Sequence, residues 1–511
     1  MPPRSSSWFR RRLAAVAGLA LLGRVLYGLM ATPSQLPFSD ALVYHLQANA
    51  LADGYFFILP CDEACNLAAR GQSAVHPPLF TALLAVASFF GGSSVDAHRV
   101  FTCFLGAATV VAVGLCGRRV LGDRGGLLAA ILAAAHPALW INDGLVVAET
   151  AYALTLAVVL LLAYRFHDAP GRWNAILLGL AIGVAGLARA EAFALVLVVV
   201  VPLAVGARRF GWGERLRLIG LACLAGVLLV APWVARNLTS FDRPVLVTTT
   251  LDFAIGAANC PEAYEGPRKG LLIGCRPLID GDESEKGYHQ RQRGLRYAAN
   301  HLDQLPGVVA TRVARAWSLY RPFPAEGLDL EGRPSWAYRA AAIGHWVMLP
   351  FALAGIVVLR RRRVPVSPLV VQFAVVSVAV AVTWGSTRFR IAADVAIVLL
   401  AAAAVDALVE RWRTRWRPTG PETSPGAEEA MAPRAATPET RTSPSARAGG
   451  GVLRRLQQVG PDPPPARRSA RAGATSRSAA SSGVVVGAEG LEPPTPCSTG
   501  PPPGRGRRAV G

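Results

Sequence analysis

Residues 4–31 read RSSSWFRRRLAAVAGLALLGRVLYGLMA, in which four arginines precede the nineteen residues from Leu13 to Ala31. Arg24 is the one charged residue among those nineteen. About 20 consecutive apolar residues are needed to cross the hydrocarbon core of a bilayer as a helix. Because basic flanks of membrane helices favour the cytoplasmic side, the stretch predicts a first transmembrane helix with its N-terminus in the cytoplasm.

The rest of the chain has the same apolar character. Of its 511 residues, 52% are hydrophobic and 17% are charged, and the mean hydropathy is +0.35. These values exclude a mainly disordered, fibrous or disulfide-stapled protein and predict a polytopic membrane protein. The 16 arginines and 7 acidic residues after position 410 contribute +9 to a net charge of +20. Because the charge is concentrated in this way, we expect no nucleic-acid partner.

Ten apolar runs are predicted to be transmembrane helices: Leu13–Ala31, Val100–Val120, Gly126–Ile141, Leu145–Tyr164, Trp173–Leu187, Ala192–Val205, Leu216–Val234, Ala340–Leu359, Val364–Trp384 and Ile391–Val409. This count places all six arginine-rich segments on the cytoplasmic side: Arg4–Arg12, Arg118–Arg124, Arg165–Arg172, Arg208–Arg217, Arg360–Arg363 and Arg411–Arg417. An eleventh span at Leu79–Phe90 would move most of them outside. We therefore expect that short run to be a juxtamembrane or re-entrant helix on the outer face.

The spans divide the chain into four regions. Residues 1–235 are predicted to form an N-terminal transmembrane core that includes a first outer loop, 32–78. Residues 236–339 are predicted to form a small extracytoplasmic α+β domain, with a strand at Val245–Thr250 and a helix at Glu285–Leu305. Residues 340–410 hold the last transmembrane helices. Residues 411–511, rich in Pro, Ser, Ala and Arg, are predicted to be a disordered cytoplasmic tail.

Most polar residues capable of chemistry lie at the predicted outer ends of the helices: Asp40, His45, His76, Asp143, Glu149, Arg189, Glu191, Arg388, Arg390 and Asp394. Ionisable groups are costly at membrane depth, so such residues line a cavity or a polar interface. Asp40 has the spacing to share a helix face with Tyr44 and Gln47. From its position, Asp40 is a candidate general base, and a helix N-cap is the competing interpretation.

The other polar groups also allow two interpretations. His76, before Pro77-Pro78, can donate to an anion near a helix start, or the prolines can simply mark that start. Arg189 can pair with its neighbour Glu191 or bind a phosphate. The two arginines in Ser386–Arg390 lie in a predicted outer loop. Arginines favour the cytoplasmic side of membrane helices, so their presence outside indicates a functional role.

A phosphate leaving group would use all of these residue types. Cations stabilise the charge that builds on the departing phosphate, and a carboxylate takes the proton of the attacking hydroxyl. No His, Cys or Asp cluster in the sequence has convincing metal-ligand spacing, so we expect no metal and no cofactor. Cys61, Cys65, Cys260 and Cys275 are predicted to lie outside, where disulfides persist, but their pairing is open.

In these residues the chain resembles the GT-C superfamily of membrane glycosyltransferases. The most similar branch is glycosyltransferase family 39, with its dolichyl-phosphate-mannose protein mannosyltransferase-like and aminoarabinose-transferase-like members. The resemblance covers roughly Ser6 to Arg417. Its marks are Asp40 with Tyr44 one turn later, His76-Pro77-Pro78-Leu79, Ala148-Glu149, Gly186-Leu187-Ala188-Arg189 and Thr387-Arg388-Phe389-Arg390.

The resemblance implies an inverting transfer of a sugar, with mannose as one candidate, from a polyprenyl-phosphate donor. It implies a multi-pass protein of the inner or plasma membrane with its active site on the extracytoplasmic face. Asp40 matches the catalytic acid of the first loop, and Glu149 matches a second acidic position. The residues expected at the donor phosphate are His76, Arg189, Arg388 and Arg390, and those expected at the substrate are Tyr44, Asp143 and Glu191.

The acceptor is left open among protein, lipid and glycan. The protein mannosyltransferases often have Asp-Glu in the first loop, whereas Asp40 is followed here by Ala41. The alternative function is a transporter or flippase for a lipid-linked sugar, and a third is an inactive lipid-binding scaffold. A transporter is expected to show internal repeats and polar residues near the midplane. The sequence shows no repeat, and its polar groups lie at the outer rim, which favours the enzyme.

Overall fold

The computed structural model describes residues 6–33, 36, 40–59, 71–272, 280–323 and 332–415. Their helices, in chain order, are α1 (Ser6–Met30), α2 (Asp40–Ala52), α3 (Pro78–Phe89), α4 (Val95–Ala135), α5 (Glu149–Asp168), α6 (Arg172–Ala188), α7 (Val201–Gly206), α8 (Trp212–Ser240), α9 (Thr250–Ala258), α10 (Pro261–Tyr264), α11 (Glu283–Asn300), α12 (Leu305–Ala316), α13 (Ser335–Arg361), α14 (Ser367–Val382) and α15 (Ile391–Arg415). The predicted tail beyond residue 415, and Cys61, Cys65 and Cys275, lie outside the described residues.

The predicted polytopic, all-helical membrane fold is confirmed. Six described helical segments are long and apolar enough to cross a membrane: Ser7–Met30, Val95–Ala135, Glu149–Asp168, Trp212–Ser240, Ser335–Arg361 and Thr387–Arg415. Shorter apolar segments at Arg172–Ala188, Ala190–Gly206 and Ser367–Val382 coincide with three further predicted spans. That these three also cross the membrane stays a prediction, as do the sidedness of the helices and the division of the chain into domains.

Helix α4 contains the predicted span Val100–Val120 and the first ten residues of Gly126–Ile141, which ends six residues beyond the helix. Its 41 residues are interrupted at Gly122, whose φ of +78° lies in the left-handed region that glycine adopts without strain. A Cβ built on Gly117 would lie 2.7 Å from the Cβ of Ala129. Twelve residues of straight helix would separate those positions by about 18 Å. The chain therefore folds back at Gly122, and the two halves of α4 pack against each other.

Helix α15 forms the centre of the bundle. It packs against α4, α5, α13 and α14. Every residue from Ile391 to Ala404 is buried. Small side chains permit this close packing. Gly355 of α13 lies against the backbone of α15, where an added Cβ would overlap the carbonyl oxygen of Leu400. The alanine run Ala401–Ala404 continues the same narrow surface along α15.

Helices α2 and α3 pack mainly against each other, and α3 also contacts α4 and α6. The 12 residues of α3 span about 18 Å, which is too short for a hydrocarbon core of about 30 Å. A polar cluster helps to join α2 and α3 to the start of α4. His45 Nδ1 lies 3.0 Å from His98 Nδ1, and Ser88 Oγ lies 2.8 Å from His98 Nε2.

The predicted α+β character of residues 236–339 is wrong for its described part, which contains helices α9 to α12 but no strand. The run Val245–Thr250 has high β-propensity, but such propensity acts only where a partner strand is available. Its backbone groups bond elsewhere instead. Val247 O accepts from Trp233 Nε1 at 2.8 Å, and Thr249 N donates to Ala74 O at 3.0 Å. The predicted helix Glu285–Leu305 corresponds to α11 and the first residue of α12.

Candidate active site

Asp40 is the first residue of α2. The helix buries the face that carries Tyr44 and Gln47, as the spacing predicted. Gln47 fixes that face, because its Nε2 donates to Ile58 O at 3.1 Å and its Oε1 accepts from Thr81 Oγ1 at 3.2 Å. The Asp40 side chain, in contrast, is 40% exposed to solvent. A buried helix thus presents a carboxylate that solvent or a substrate can reach.

Arg388 connects the two predicted catalytic carboxylates. Its Nη2 lies 2.9 Å from Asp40 Oδ2, and its Nε lies 2.7 Å from Glu149 Oε1. Arg388 belongs to the short 3-10 helix Thr387–Arg390, whose start is fixed by the Arg388 N–H donating to Ser386 Oγ at 3.3 Å. Arg388 therefore pairs with a carboxylate that lies 348 positions away in the sequence.

Glu149 begins α5, four residues later than the predicted start of that span. Its side chain is fully buried, and its Oε1 also accepts from Arg189 Nη1 at 2.7 Å. Oε2 is buried and receives no hydrogen bond from the described residues. The preceding loop contains Val146 at φ +56°, a strained conformation for a β-branched residue. A strained loop and an unpaired carboxylate oxygen at one place are typical of a functional site.

Arg189 pairs with both of its acidic neighbours. Its Nε lies 2.5 Å from Glu191 Oε1, so the simple pairing of these two residues does occur, beside the contact with Glu149. The guanidinium carbon lies 4.7 Å from the centre of the Phe389 ring. Asp40, Arg388, Glu149, Arg189 and Glu191 thus form a continuous series of alternating charges, which we call the charge chain.

His76 lies beside the charge chain. Its ring stacks on Tyr44 with centroids 4.3 Å apart, and its Nε2 is 3.7 Å from Asp40 Oδ1. Burial lowers the pKa of His76, although the charge of Asp40 opposes this effect. His76 is therefore neutral at pH 7, and can donate one hydrogen bond from its ring. Burial, helped by the charge of Asp40, raises the pKa of Tyr44, which keeps its proton.

The charge on Asp40 is set by opposing effects. The surrounding protein displaces water from the carboxylate, which by itself raises the pKa. The positive charge of Arg388, its hydrogen bond to the carboxylate and the charge of Arg189 outweigh this effect and hold the pKa of Asp40 below its usual range. Asp40 is thus ionised throughout the physiological pH range and able to accept a proton.

Asp143 and Arg390 have other partners than the charge chain. Asp143 is buried, forms an ion pair with Arg24 and accepts from Thr150 Oγ1 at 2.8 Å. Arg390 Nε lies 3.2 Å from Asp394, and its Nη1 donates to Ser318 Oγ at 2.8 Å. No hydrogen bond or ion pair in the described part joins either residue to the charge chain. Their predicted roles at the substrate and at the donor phosphate stay predictions.

The surroundings of Arg390 include residues that sequence reasoning missed. His136 Nε2 and His345 Nδ1 approach Asp394 Oδ1 at 3.6 and 3.4 Å. The spacing of Arg390 and Asp394, four residues apart at a helix start, could have indicated an ion pair. Nothing in the sequence joins the two histidines to them, because His136 follows the end of α4 and His345 lies within α13, both far from Asp394 in the sequence.

A small cleft lies beside Arg388. Its polar lining residues are Asn142, Ser318, Arg333, Tyr338, Thr387, Arg388, Arg390 and Asp394. Arg333 is buried and donates to Asn142 Oδ1 from Nε and Nη2, at 3.1 and 2.8 Å. Sequence reasoning missed Arg333 because it stands outside any motif, at the end of the outer segment. Through Arg388, the cleft borders one side of the charge chain.

One group of three acidic residues in the described part could hold a metal ion, with carboxylate oxygens of Asp242, Asp282 and Glu285 within 4.8 Å of one another. Asp282 already acts as the N-cap of α11, because its Oδ1 accepts from Glu285 N at 2.9 Å. Its Oδ2 accepts from Asp242 N, also at 2.9 Å. These bonds explain the cluster as a helix cap, and none of its residues belongs to the charge chain.

Residues 75–235 match the family model of dolichyl-phosphate-mannose-protein mannosyltransferases. Five residues predicted from the resemblance fall in that range: His76, Asp143, Glu149, Arg189 and Glu191. The matched stretch is about a third of the chain, and it supports the resemblance to the GT-C superfamily. A comparison with curated proteins gives no match.

Two solved structures are similar to the chain. The oligosaccharyltransferase AglB of Archaeoglobus fulgidus, in complex with an inhibitory peptide and a dolichol-phosphate, is 15% identical with a TM-score of 0.48. The match covers 84% of this chain and 53% of the archaeal chain, so this chain spans about half the length of that protein. ArnT of Cupriavidus metallidurans, bound to undecaprenyl phosphate, is 16% identical with a TM-score of 0.38, and 79% of each chain is covered.

Proposed function

We propose that the protein transfers a sugar from a polyprenyl-phosphate donor to a hydroxyl acceptor, with inversion, on the extracytoplasmic face of the inner or plasma membrane. The observation that carries the proposal is the charge chain. It gathers three carboxylates and two guanidiniums from α2, α5, the turn that follows α6 and the 3-10 helix Thr387–Arg390. The GT-C family match supports the same reaction class.

The donor phosphate is assigned to Arg388 and Arg189. A guanidinium has five N–H groups, of which Arg189 uses its Nε and Nη1 on Glu191 and Glu149. No described residue accepts a hydrogen bond from its Nη2. Charge-assisted hydrogen bonds strengthen as negative charge gathers on the leaving phosphate, so they stabilise the transition state more than the bound donor. Neutral His76 can donate one further hydrogen bond to this phosphate.

Asp40 is assigned as the general base. The proton of the acceptor hydroxyl passes to Asp40, the hydroxyl oxygen bonds to the anomeric carbon, and the bond from that carbon to the phosphate breaks. The electron pair of the broken bond leaves with the polyprenyl phosphate. Exposure favours Asp40 over Glu149, whose side chain is fully buried and whose Oε1 is shared by two arginines. One displacement inverts the anomeric carbon, which agrees with the inverting family.

Donor binding also adjusts the strength of this base. Arg388 holds the pKa of Asp40 low, and a carboxylate with a low pKa is a weak base. A phosphate that binds Arg388 brings negative charge beside Asp40 and draws the guanidinium away from it. Both effects raise the pKa of Asp40. The base is therefore strengthened when the donor is in place.

A disulfide in the outer segment, residues 236–339, supports the proposal that the site lies on the extracytoplasmic face. Cys260 forms a disulfide, and disulfides persist in oxidising compartments outside the cytoplasm. The segment contacts the first outer loop directly, where Thr248 Oγ1 donates to Val75 O at 2.6 Å. We propose a mannose-like sugar on the strength of the matched family, and leave the acceptor open among protein, lipid and glycan.

The proposal is tested with purified full-length protein and radiolabelled polyprenyl-phosphate sugars, with the release of sugar from the lipid as the measurement. Asp40→Asn keeps the size of the side chain but removes the proton acceptor, so turnover should fall by about 10² to 10⁴. Asp96→Asn is the matched control, because Asp96 is exposed and its ion pair in the described part of the chain is with Arg99, also in α4. Turnover by Asp40→Asn equal to that of the control would exclude Asp40 as the base.

The same preparation separates the transferase from a flippase. In reconstituted vesicles, a flippase moves the labelled lipid between leaflets and leaves the bond from sugar to phosphate intact. The transferase breaks that bond and releases the polyprenyl phosphate. Movement of intact donor without any cleavage, across the donor sugars tested, would favour the alternative function.

A further inference from the structure

In the three residues immediately before His76, every backbone polar group is hydrogen-bonded. Of the backbone groups in Ser73–Val75, Ser73 N donates to Phe57 O at 2.9 Å, and Ser73 O accepts from Arg236 Nη1 at 3.0 Å. Ala74 N donates to Glu283 Oε1 at 3.0 Å, and Ala74 O accepts from Thr249 N, also at 3.0 Å. Each of these four bonds reaches a residue distant in the sequence.

The third residue of the segment completes the pattern. Val75 N donates to Ser73 Oγ at 3.3 Å, and Val75 O accepts from Thr248 Oγ1 at 2.6 Å and from Thr250 Oγ1. All six backbone polar groups of Ser73–Val75 are therefore bonded. Regular secondary structure satisfies backbone groups through its own ladder, but this segment contains no helix and relies on other parts of the chain.

Glu283 is the acidic side chain in this arrangement. It lies in the first turn of α11, next to the capping Asp282, where a carboxylate is favoured by the helix dipole. Its Oε1 accepts both from Ala74 N and from Thr249 Oγ1, the latter at 2.6 Å. One oxygen thus ties the first outer loop to the run Thr248–Thr250 of the outer segment. Burial raises the pKa of Glu283, as expected for a carboxyl enclosed by this contact.

The segment leads directly to the charge chain. His76 follows Val75, and Pro77 and Pro78 then fix the backbone into the start of α3. The ring of His76 also has little freedom to move, because it stacks on the ring of Tyr44 with the centroids 4.3 Å apart. Its Nε2 is 3.7 Å from Asp40 Oδ1. The position of His76 beside Asp40 is therefore set by a rigid segment before it and a rigid turn after it.

We propose that Glu283 is a positioning residue, through which the outer segment holds Ser73–Val75 and so fixes His76 beside Asp40. The outer segment is then more than a cover over the membrane core, because one of its side chains sets the geometry of the candidate active site. The consequence for catalysis rests on the proposed function of His76. The contact itself does not, and it can be measured without any activity.

The first measurement is the exchange of backbone amides for deuterium in the peptide that covers Gln72–Leu79, in purified full-length protein. Glu283→Ala removes the acceptor of the Ala74 N–H, and exchange of that peptide should become about tenfold faster. Glu283→Gln keeps an Oε1 acceptor and should stay within about threefold of the natural protein. Asp252→Ala is the control: it removes the ion pair to Arg291 at 2.9 Å, also within the outer segment, and should leave this peptide unchanged.

The second measurement reports on His76 itself. Modification of its ring by diethyl pyrocarbonate, followed by mass spectrometry, should be about tenfold faster in Glu283→Ala, because His76 is only 8% exposed while the segment is held. With a labelled donor, kcat of Glu283→Ala should fall about tenfold while KM changes less than threefold. Glu283→Gln should restore both the slow modification of His76 and kcat.

Glu283→Asp covers the case in which Glu283→Ala fails to fold. It keeps the charge but withdraws the carboxylate by one methylene, so it should behave as Glu283→Ala does. Unchanged amide exchange in both variants would overturn the contact, and faster exchange with unchanged reactivity of His76 would overturn the positioning role. If the natural protein transfers no sugar, the exchange and modification results still decide the structural claim, and only the proposed function fails.

Discussion

At the scale of single residues, the decisive feature is that Arg388 serves both carboxylates of the charge chain. A single guanidinium holds Asp40 and Glu149 at 2.9 and 2.7 Å, so a change at Arg388 affects both. The effect on Asp40 can be read from pH dependence. A carboxylate whose pKa is held low stays ionised to lower pH, and its activity as a base is lost only as the pH falls through that lowered value.

The acid limb of kcat/KM is therefore expected below the ordinary Asp pKa of about 3.9. Arg388→Gln removes the positive charge that lowers the pKa of Asp40, so the acid limb of this variant should move to higher pH. Both profiles are obtained from transfer rates between pH 3 and 8 in enzyme shown to remain folded. Identical acid limbs in the two proteins would mean that Arg388 does not control the ionisation of Asp40.

Arg189 permits a test of the donor site that leaves the general base in place. Arg189→Ala removes charge-assisted hydrogen bonds worth about 1.5–3 kcal/mol each, so donor affinity should fall about 10- to 150-fold. Binding is measured with a labelled polyprenyl phosphate. Arg119→Ala is the control, because Arg119 pairs with Asp168 at helix ends predicted to face the cytoplasm. Equal affinities in the two variants would remove Arg189 from the donor site.

Sequence reasoning identified part of this site and missed part of it. Asp40, Glu149, Arg189 and Arg388 could be selected because charged groups near membrane helices are costly and rarely accidental. Their pairing could not be predicted, because ion pairs across 239 or 348 sequence positions depend on the packing of the helices. Arg333 was missed for a similar reason, since an arginine at the end of a polar outer segment resembles ordinary surface charge.

At the scale of helices and loops, hydrophobic runs predicted where the helices lie but not how they end. Helix α5 begins at Glu149, whereas the apolar pattern placed its start at Leu145. The residues between belong to a buried loop with Val146 at φ +56°. Apolar periodicity reports burial in either conformation, so it does not separate a buried loop from a helix. The strand predicted at Val245–Thr250 failed because β-propensity cannot show that a partner strand is missing.

The packing of α13 on α15 gives a prediction at the same scale. Gly355→Ala places a methyl group against Leu400 O, which forces the helices apart and should destabilise the protein by about 1–3 kcal/mol. Gly220→Ala of α8 is the matched control, since nothing lies within 4 Å of its added Cβ. Thermal unfolding in detergent compares the two. A melting temperature for Gly355→Ala no lower than that of the control would show that the α13–α15 contact is looser than the structure indicates.

At the scale of the whole molecule, the arginine-rich connectors predict a single arrangement across the membrane. Single cysteines at both ends of α3 and in the outer segment should react with an impermeant reagent from the outside, and a cysteine in Arg360–Arg363 should not. The starting protein should lack Cys103, Cys116 and Cys223, the free thiols of the described part. Reaction of the two ends of α3 from opposite sides would contradict the ten-span arrangement.

The central position of α15 has a consequence for how the protein is made. It is the last described helix in the chain, so a ribosome translates the segments of α1 to α14 before α15 exists. At about 5–20 residues per second, on the order of a minute separates the synthesis of α1 from that of α15. During most of that time α4 and α5 exist without the helix against which they finally pack. The nascent bundle is thus an open assembly that closes only when α15 arrives, and translation that stops before α15 leaves its interior facing lipid.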